Sequence, residues 1–183
     1  MNSICQLNNI HTFNVKNYTV YLKFSIFVSD NQPNMSKFVI YIKLETYLHQ
    51  WLTHSLGNPV VFPAQSCENA TIRRFLQKLP MDAKPQLADA SLTAICIPES
   101  KAKDPAIYNY MGQAGKEAIV ECIEDLFRRN LWHEMGDLTP GRRGVNGQIA
   151  AWCEMHGIGI DYVETVRQKY YRMRKAYAKR GIN

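Results

Sequence analysis

The spacing of apolar and polar positions changes period several times along this chain. Phe38–Leu44, rich in β-branched and aromatic residues, predicts a strand. In Glu45–Leu56 the residues Leu48, Trp51, Leu52 and Leu56 fall at helical spacing, and Gly57 stops them. Asn58–Phe62 is a short apolar piece ended by Pro63. Asn69 or Glu68 is expected to open a helix over Ala70–Leu79, with Ile72, Phe75, Leu76 and Leu79 on one face. Pro80–Pro85 reads as a loop, Ser91–Ile97 as a second strand stopped by Pro98, and Glu99–Pro105 as a polar loop. A long helix is expected from about Gln113 to Trp132. Its apolar stripe is Ile119, Cys122, Ile123, Leu126, Phe127 and Leu131, opposite Lys116, Glu117, Glu121, Glu124, Asp125 and Arg128.

Gly136–Gly147 is rich in breakers and includes Thr139-Pro140-Gly141-Arg142-Arg143-Gly144, which marks a subdomain boundary. The expected fold class is α+β, with a small mixed strand-and-helix part over 35–136 and a basic helical part over 137–183. Residues 1–34 differ from both, holding seven asparagines and only three charged residues. Translation is expected to begin at Met35, which makes 1–34 an upstream extension. The alternation of Val20, Leu22, Phe24, Ile26 and Val28 supports equally a first, edge strand over Tyr18–Val28.

Beyond the linker, Gln148–His156 predicts a short helix and Gly157–Ile160 a turn. Asp161 is expected to cap a second helix, with Glu164 three residues later at capping-box spacing. That helix is expected to run to about Arg180 and end at Gly181. Val163, Val166, Tyr170, Met173 and Tyr177 form one stripe along it, and Thr165, Gln168, Arg172, Lys175 and Lys179 another. At about 100° per residue these stripes lie on nearly opposite faces.

Cys153 as a small residue, Gly157 four positions later, and the apolar Trp152, Ile158, Val163 and Val166 resemble the helix-turn-helix superfamily over roughly 20 residues. His156 departs from that pattern, which has an apolar residue there. The resemblance implies that Thr165 and Gln168 face base edges while Arg172, Lys175 and Lys179 reach phosphates, with Lys169 also counted among the DNA-binding residues. Arg142 and Arg143 are placed to act as a phosphate clamp or a minor-groove arm.

Charge strengthens this reading. The net charge is +6, and Gly141–Asn183 holds nine basic residues against three acidic ones, so the whole excess lies there. A localised excess attracts a polyanion. The 183 residues, 46% hydrophobic and 21% charged, are ordinary for a globular protein. No run of about 18 apolar residues predicts a membrane span. The first cation is Lys16, so no secretory leader is expected, the sequons at Asn17 and Asn69 carry no weight, and a cytoplasmic setting follows. The dispersed Cys5, Cys67, Cys96, Cys122 and Cys153 are expected to be buried, reduced thiols.

Catalytic motifs fail on inspection. His133-Glu134-Met-Gly-Asp137 has aspartate where a zincin needs its second histidine, and Gly136 interrupts the helix. Gly112-Gln-Ala-Gly115-Lys116 is too short for a phosphate loop and lacks the required hydroxyl. Cys153 and His156 lack an oriented base and oxyanion site, and His49 and His54 share no helix face. The expectation is a non-enzymatic protein without cofactor or metal that binds duplex DNA sequence-specifically, as a transcription regulator of a phage or mobile element does. RNA offers the same phosphates, and a homodimer through the apolar stripe is compatible. The alternative is a protein-interaction or assembly module that docks its basic amphipathic helix on a partner. Membrane association is disfavoured, because the packing stripe holds no Trp or Phe.

Overall fold

The computed structural model describes residues 38–82, 89, 91–137 and 144–179. Tyr18–Val28, Met35, Arg142, Arg143 and the helix end at Gly181 lie outside them. In chain order the elements are β1 (Val39–Ile42), α1 (Thr46–Leu56), α2 (Cys67–Phe75), β2 (Leu76–Gln77), β3 (Thr93–Cys96), β4 (Tyr110–Met111), α3 (Gln113–Asp137), α4 (Gly144–Met155), a 3₁₀ turn (Ile160–Tyr162) and α5 (Val163–Lys179). Helices and a few short strands in two small sheets make this an α+β protein.

The β-branched run of β1 turns Ile40 and Ile42 into the core. It pairs antiparallel with β3 in the register Val39↔Cys96 to Ile42↔Thr93. On the other side of β3 the apolar piece before Pro63 contributes a single parallel rung. There the Val60 N–H donates to the Ala94 carbonyl at 2.8 Å, and the Cys96 N–H donates to the Val60 carbonyl at 2.9 Å. Helix α1 follows its predicted stripe, burying Tyr47, Leu48, Trp51 and Leu52. It ends at Gly57, whose φ of +81° suits a residue without Cβ.

Helix α2 departs from expectation at both ends. Neither Asn69 nor Glu68 opens it. The cap is Ser66, whose Oγ accepts the Asn69 N–H at 3.1 Å, and Asn69 lies buried inside, donating its amide to the Phe62 and Pro63 carbonyls. The helix stops at Phe75, and Leu76–Gln77 turns extended to pair with Tyr110–Met111. The Lys103 ammonium donates to the carbonyls of Arg73 (2.8 Å), Arg74 (3.3 Å) and Leu76 (2.7 Å), satisfying the groups a longer helix would have used. Leu79, expected on the buried face, is exposed instead.

Helix α3 passes Trp132 and reaches Asp137 because Met135 extends the buried stripe of Ile119, Ile123, Leu126, Phe127 and Leu131 by one more turn. Gly136 does not stop it. Helix α4 starts at Gly144, four residues before the expected Gln148, as Val145, Ile149 and Trp152 supply helical spacing across the two glycines. Asp161 caps nothing; it is exposed within the 3₁₀ turn, whose N-terminal neighbour is Gly159. Among the thiols, Cys96 and Cys153 are buried and Cys122 is half-buried, but Cys67 is exposed at the start of α2.

One apolar cluster runs from Ile40 to Val166 and includes residues of every helix. Phe127 is its hub. Tyr47, Trp51 and Trp152 meet its ring nearly edge-on at centroid separations of 5.2, 5.2 and 5.7 Å. Helices α1 and α4 are thereby fixed to α3, and α5 lies across α4 and the end of α3.

Candidate nucleic-acid interface

The turn between α4 and α5 is determined by its own residues. Gly157 adopts φ +69°, the Gly157 N–H donates to the Glu154 carbonyl (3.2 Å), and the Ile158 N–H donates to that of Cys153 (2.8 Å). This is a Schellman ending, and the buried Cys153 and Ile158 are its apolar pair. A Cβ at Gly157 would stand 2.6 Å from His54 Cδ2, so α1 lies directly against the turn. The Gly159 N–H donates to Gln50 Oε1 at 2.9 Å, a second tie to α1.

His156, which breaks the apolar pattern, is held by polar contacts. Its Nε2 lies 2.7 Å from Glu134 Oε2, and the Trp152 indole N–H donates to the same oxygen at 2.8 Å. The imidazole also stacks on Trp152 with centroids 4.3 Å apart. Burial pushes the Glu134 carboxyl up. The His156 hydrogen bond and charge, the Trp152 hydrogen bond and the His133 charge outweigh that, and the group lies below its ordinary value of 4.5. One carboxylate thus fastens α4 and its turn to α3.

On α5 the two stripes separate as expected. Val166 is buried, Val163, Tyr170 and Met173 pack partly buried against the core, and Tyr170 and Tyr177 lie against Trp132 at 5.9 and 4.4 Å. On the other side Gln168, Arg172, Lys175 and Lys179 are exposed, and Thr165 is half-buried. The expected base-reading end is already engaged. Glu164, expected to complete a capping box, instead pairs with Arg167 and accepts from Gln168 Nε2 at 3.3 Å. The hydrogen bond from Arg167, then that from Gln168, holds the Glu164 carboxyl below its ordinary value. Lys169 turns toward the body of the protein, with Nζ 5.2 Å from the Tyr47 ring centroid. Of the eight residues expected to contact DNA, the structure therefore brings Gln168, Arg172, Lys175 and Lys179 to one exposed face. Thr165 lies at its margin and Lys169 away from it, while Arg142 and Arg143 are outside the described residues.

An open groove of about 610 Å³ lies between the start of α4 and this face. Arg167, Arg172 and Lys175 supply cations, Asn146 and Gln168 amides, and Glu164 a carboxylate. Tyr171 also lines it, and its hydroxyl lies 2.9 Å from Asn146 Oδ1, the phenol donating. Sequence reasoning missed Asn146 and Tyr171. Asn146 fell in the supposed linker, and Tyr171 sits one position off the apolar stripe. The available signal was an aromatic residue immediately beside Arg172 on a cationic helix.

The other sequence candidates have structural engagements. Burial pushes the Cys153 thiol up to about 11, opposite to what a nucleophile needs, and His156 is committed to Glu134. His49 Nδ1 lies 2.9 Å from Thr93 Oγ1. Gly115 is buried where a Cβ would come within 2.8 Å of Phe75 Cβ, which accounts for a small residue there by packing. Among the described residues no group of three His, Cys, Asp or Glu could hold a metal ion, and no helix is long and apolar enough to cross a membrane. The chain matches no known protein family, no curated protein and no solved structure.

Proposed function

We propose that this protein binds nucleic acid, duplex DNA first, through the exposed cationic side of α5, with α4 and its turn as the support of a helix-turn-helix. The observation that carries the reading is the placement of Arg172, Lys175 and Lys179. They are exposed at helical spacing on one face of a helix whose opposite face packs, and none is in an ion pair with a described residue. Three such cations suit phosphates, whose neutralisation releases counterions. Base reading falls to Gln168 and Thr165, and Gln168 must leave Glu164 to reach an adenine edge. Affinity is then led by phosphate contacts, and sequence preference, as a phage or mobile-element regulator requires, is the smaller part of the binding.

The test is a salt series of duplex binding for wild type and the Arg172→Ala/Lys175→Ala/Lys179→Ala variant. The expected result is a folded variant that binds more weakly on all sequences. Its salt slope should be lower by about 1 for each phosphate that the variant no longer neutralises. A folded triple variant that binds as wild type does would remove α5 as the contacting element. Docking of the same helix on a protein partner then becomes the better reading.

A further inference from the structure

We propose that the groove between α4 and α5 seats a single unpaired base against Tyr171, so that the protein holds a duplex interrupted by an unpaired nucleotide more tightly than an intact one. The inference rests on the nucleic-acid reading above and names which part of the strand this groove takes. The Tyr171 side chain is an aromatic surface on the outside of the protein, 41% exposed. Its hydroxyl is nevertheless tied to Asn146 Oδ1 across to the neighbouring helix. A ring held in this way loses little freedom when a base stacks on it. Arg172 and Lys175 follow it on the same helix, outside any described ion pair, so cations stand beside the ring to meet the adjoining phosphates.

The remaining groups fit a base edge. Asn146 and Gln168 each offer donors and an acceptor, and Glu164, on exchanging its Gln168 contact for the base, can accept from an exocyclic amine. Arg172 and Lys175 are the cations outside a described ion pair, which places the backbone toward them and the base toward the Glu164–Arg167 pair. With its one hydroxyl proton donated to Asn146, Tyr171 has none left for a phosphate, and what it offers is the ring. An intact duplex keeps its bases stacked on one another and offers Tyr171 no face. An unpaired base is extruded at least cost.

The test uses the full chain and three labelled DNA duplexes: intact, with a one-nucleotide bulge, and with the same bulge lacking its base. Wild type is expected to bind the base-bearing bulge about tenfold or more tighter than the intact duplex. The abasic bulge should bind like the intact duplex, which separates stacking from mere flexibility. Tyr171→Ala should erase the preference, so that bulged and intact duplex bind equally well. Tyr171→Phe should keep the preference. If alanine loosens the groove, Tyr171→Leu retains an apolar filler without a ring face and must also erase the preference. Equal binding of bulged and intact duplex by wild type overturns this inference alone. So does a preference that survives in Tyr171→Leu or with the abasic bulge. If wild type shows no salt-dependent binding to any duplex, the nucleic-acid reading falls and the inference falls with it.

Discussion

At the scale of single residues, Glu134 connects the candidate interface to the body of the protein. Its Oε2 receives both the Trp152 indole and the His156 ring, and its side chain is about one-quarter exposed. A neutral amide in its place keeps the shape but removes the charge that strengthens both interactions. Glu134→Gln is expected to lower stability by roughly 1–2 kcal/mol, in the range of hydrogen bonds to charged groups. The pH dependence has a definite sign. The folded-state carboxyl lies below its ordinary value of 4.5, so its contribution is complete above that value and disappears as pH falls through the lower folded-state value. Chemical denaturation from pH 7 to pH 3 checks this. Wild type should lose an increment of stability below about pH 4.5 that Glu134→Gln does not lose. Parallel stability–pH curves for the two proteins would show that Glu134 is not the titrating clasp.

At the scale of elements, what could be read from the chain was what local pattern determines. Helices α1 and α3 and the two faces of α5 follow stripes of apolar residues within one segment. Strands β1 and β3 follow β-branched runs. The end of α2 was not legible, because Leu76 and Leu79 continue a helical spacing on paper. What ends the helix comes from far along the chain, as Leu76 pairs with Met111 and Lys103, 27 residues on, takes the Leu76 carbonyl. The false cap at Asp161 has the same origin. The turn is positioned by Gln50, 109 residues earlier, which holds Gly159 and starts the 3₁₀ turn there. The groove was illegible for a similar reason, since Asn146 and Tyr171 stand 25 residues apart and meet only through tertiary packing. Lys103 makes the long-range capping testable. Lys103→Met keeps most of the stem but removes all three donations to the end of α2, and a destabilisation of about 1–2 kcal/mol is expected. Hydrogen exchange should accelerate at the last turn of α2 and at β2 before it does in α3. Unchanged protection at Phe75–Gln77 would mean the strand pairing alone ends the helix.

At the scale of the whole molecule, the basic excess is confined to one end of the chain but the structure that presents it is not. Ile149, Trp152, Cys153, Ile158 and Val166 belong to the same buried cluster as Ile40, Leu52 and Phe127. The exposed side of α5 is therefore held in place by packing that reaches α1 and α3, among it His54 beneath Gly157 and Trp132 beneath Tyr177. Cut free, residues 137–183 would keep helices of only 12 and 17 residues. Helices of that length are marginal in water without a surface to pack on, and chains of about 40 residues rarely bury enough apolar area to fold alone. The fragment is expected to show weak helicity by circular dichroism and no cooperative melt. The intact chain should unfold with Trp152, Phe127 and the α5 face in one transition. Binding by the fragment should be weak and governed by its charge, with Thr165 and Gln168 substitutions without effect. A fragment that melts cooperatively and binds as the full chain does would show that α4 and α5 form an independent unit, and that the Phe127 hub contributes nothing to the interface.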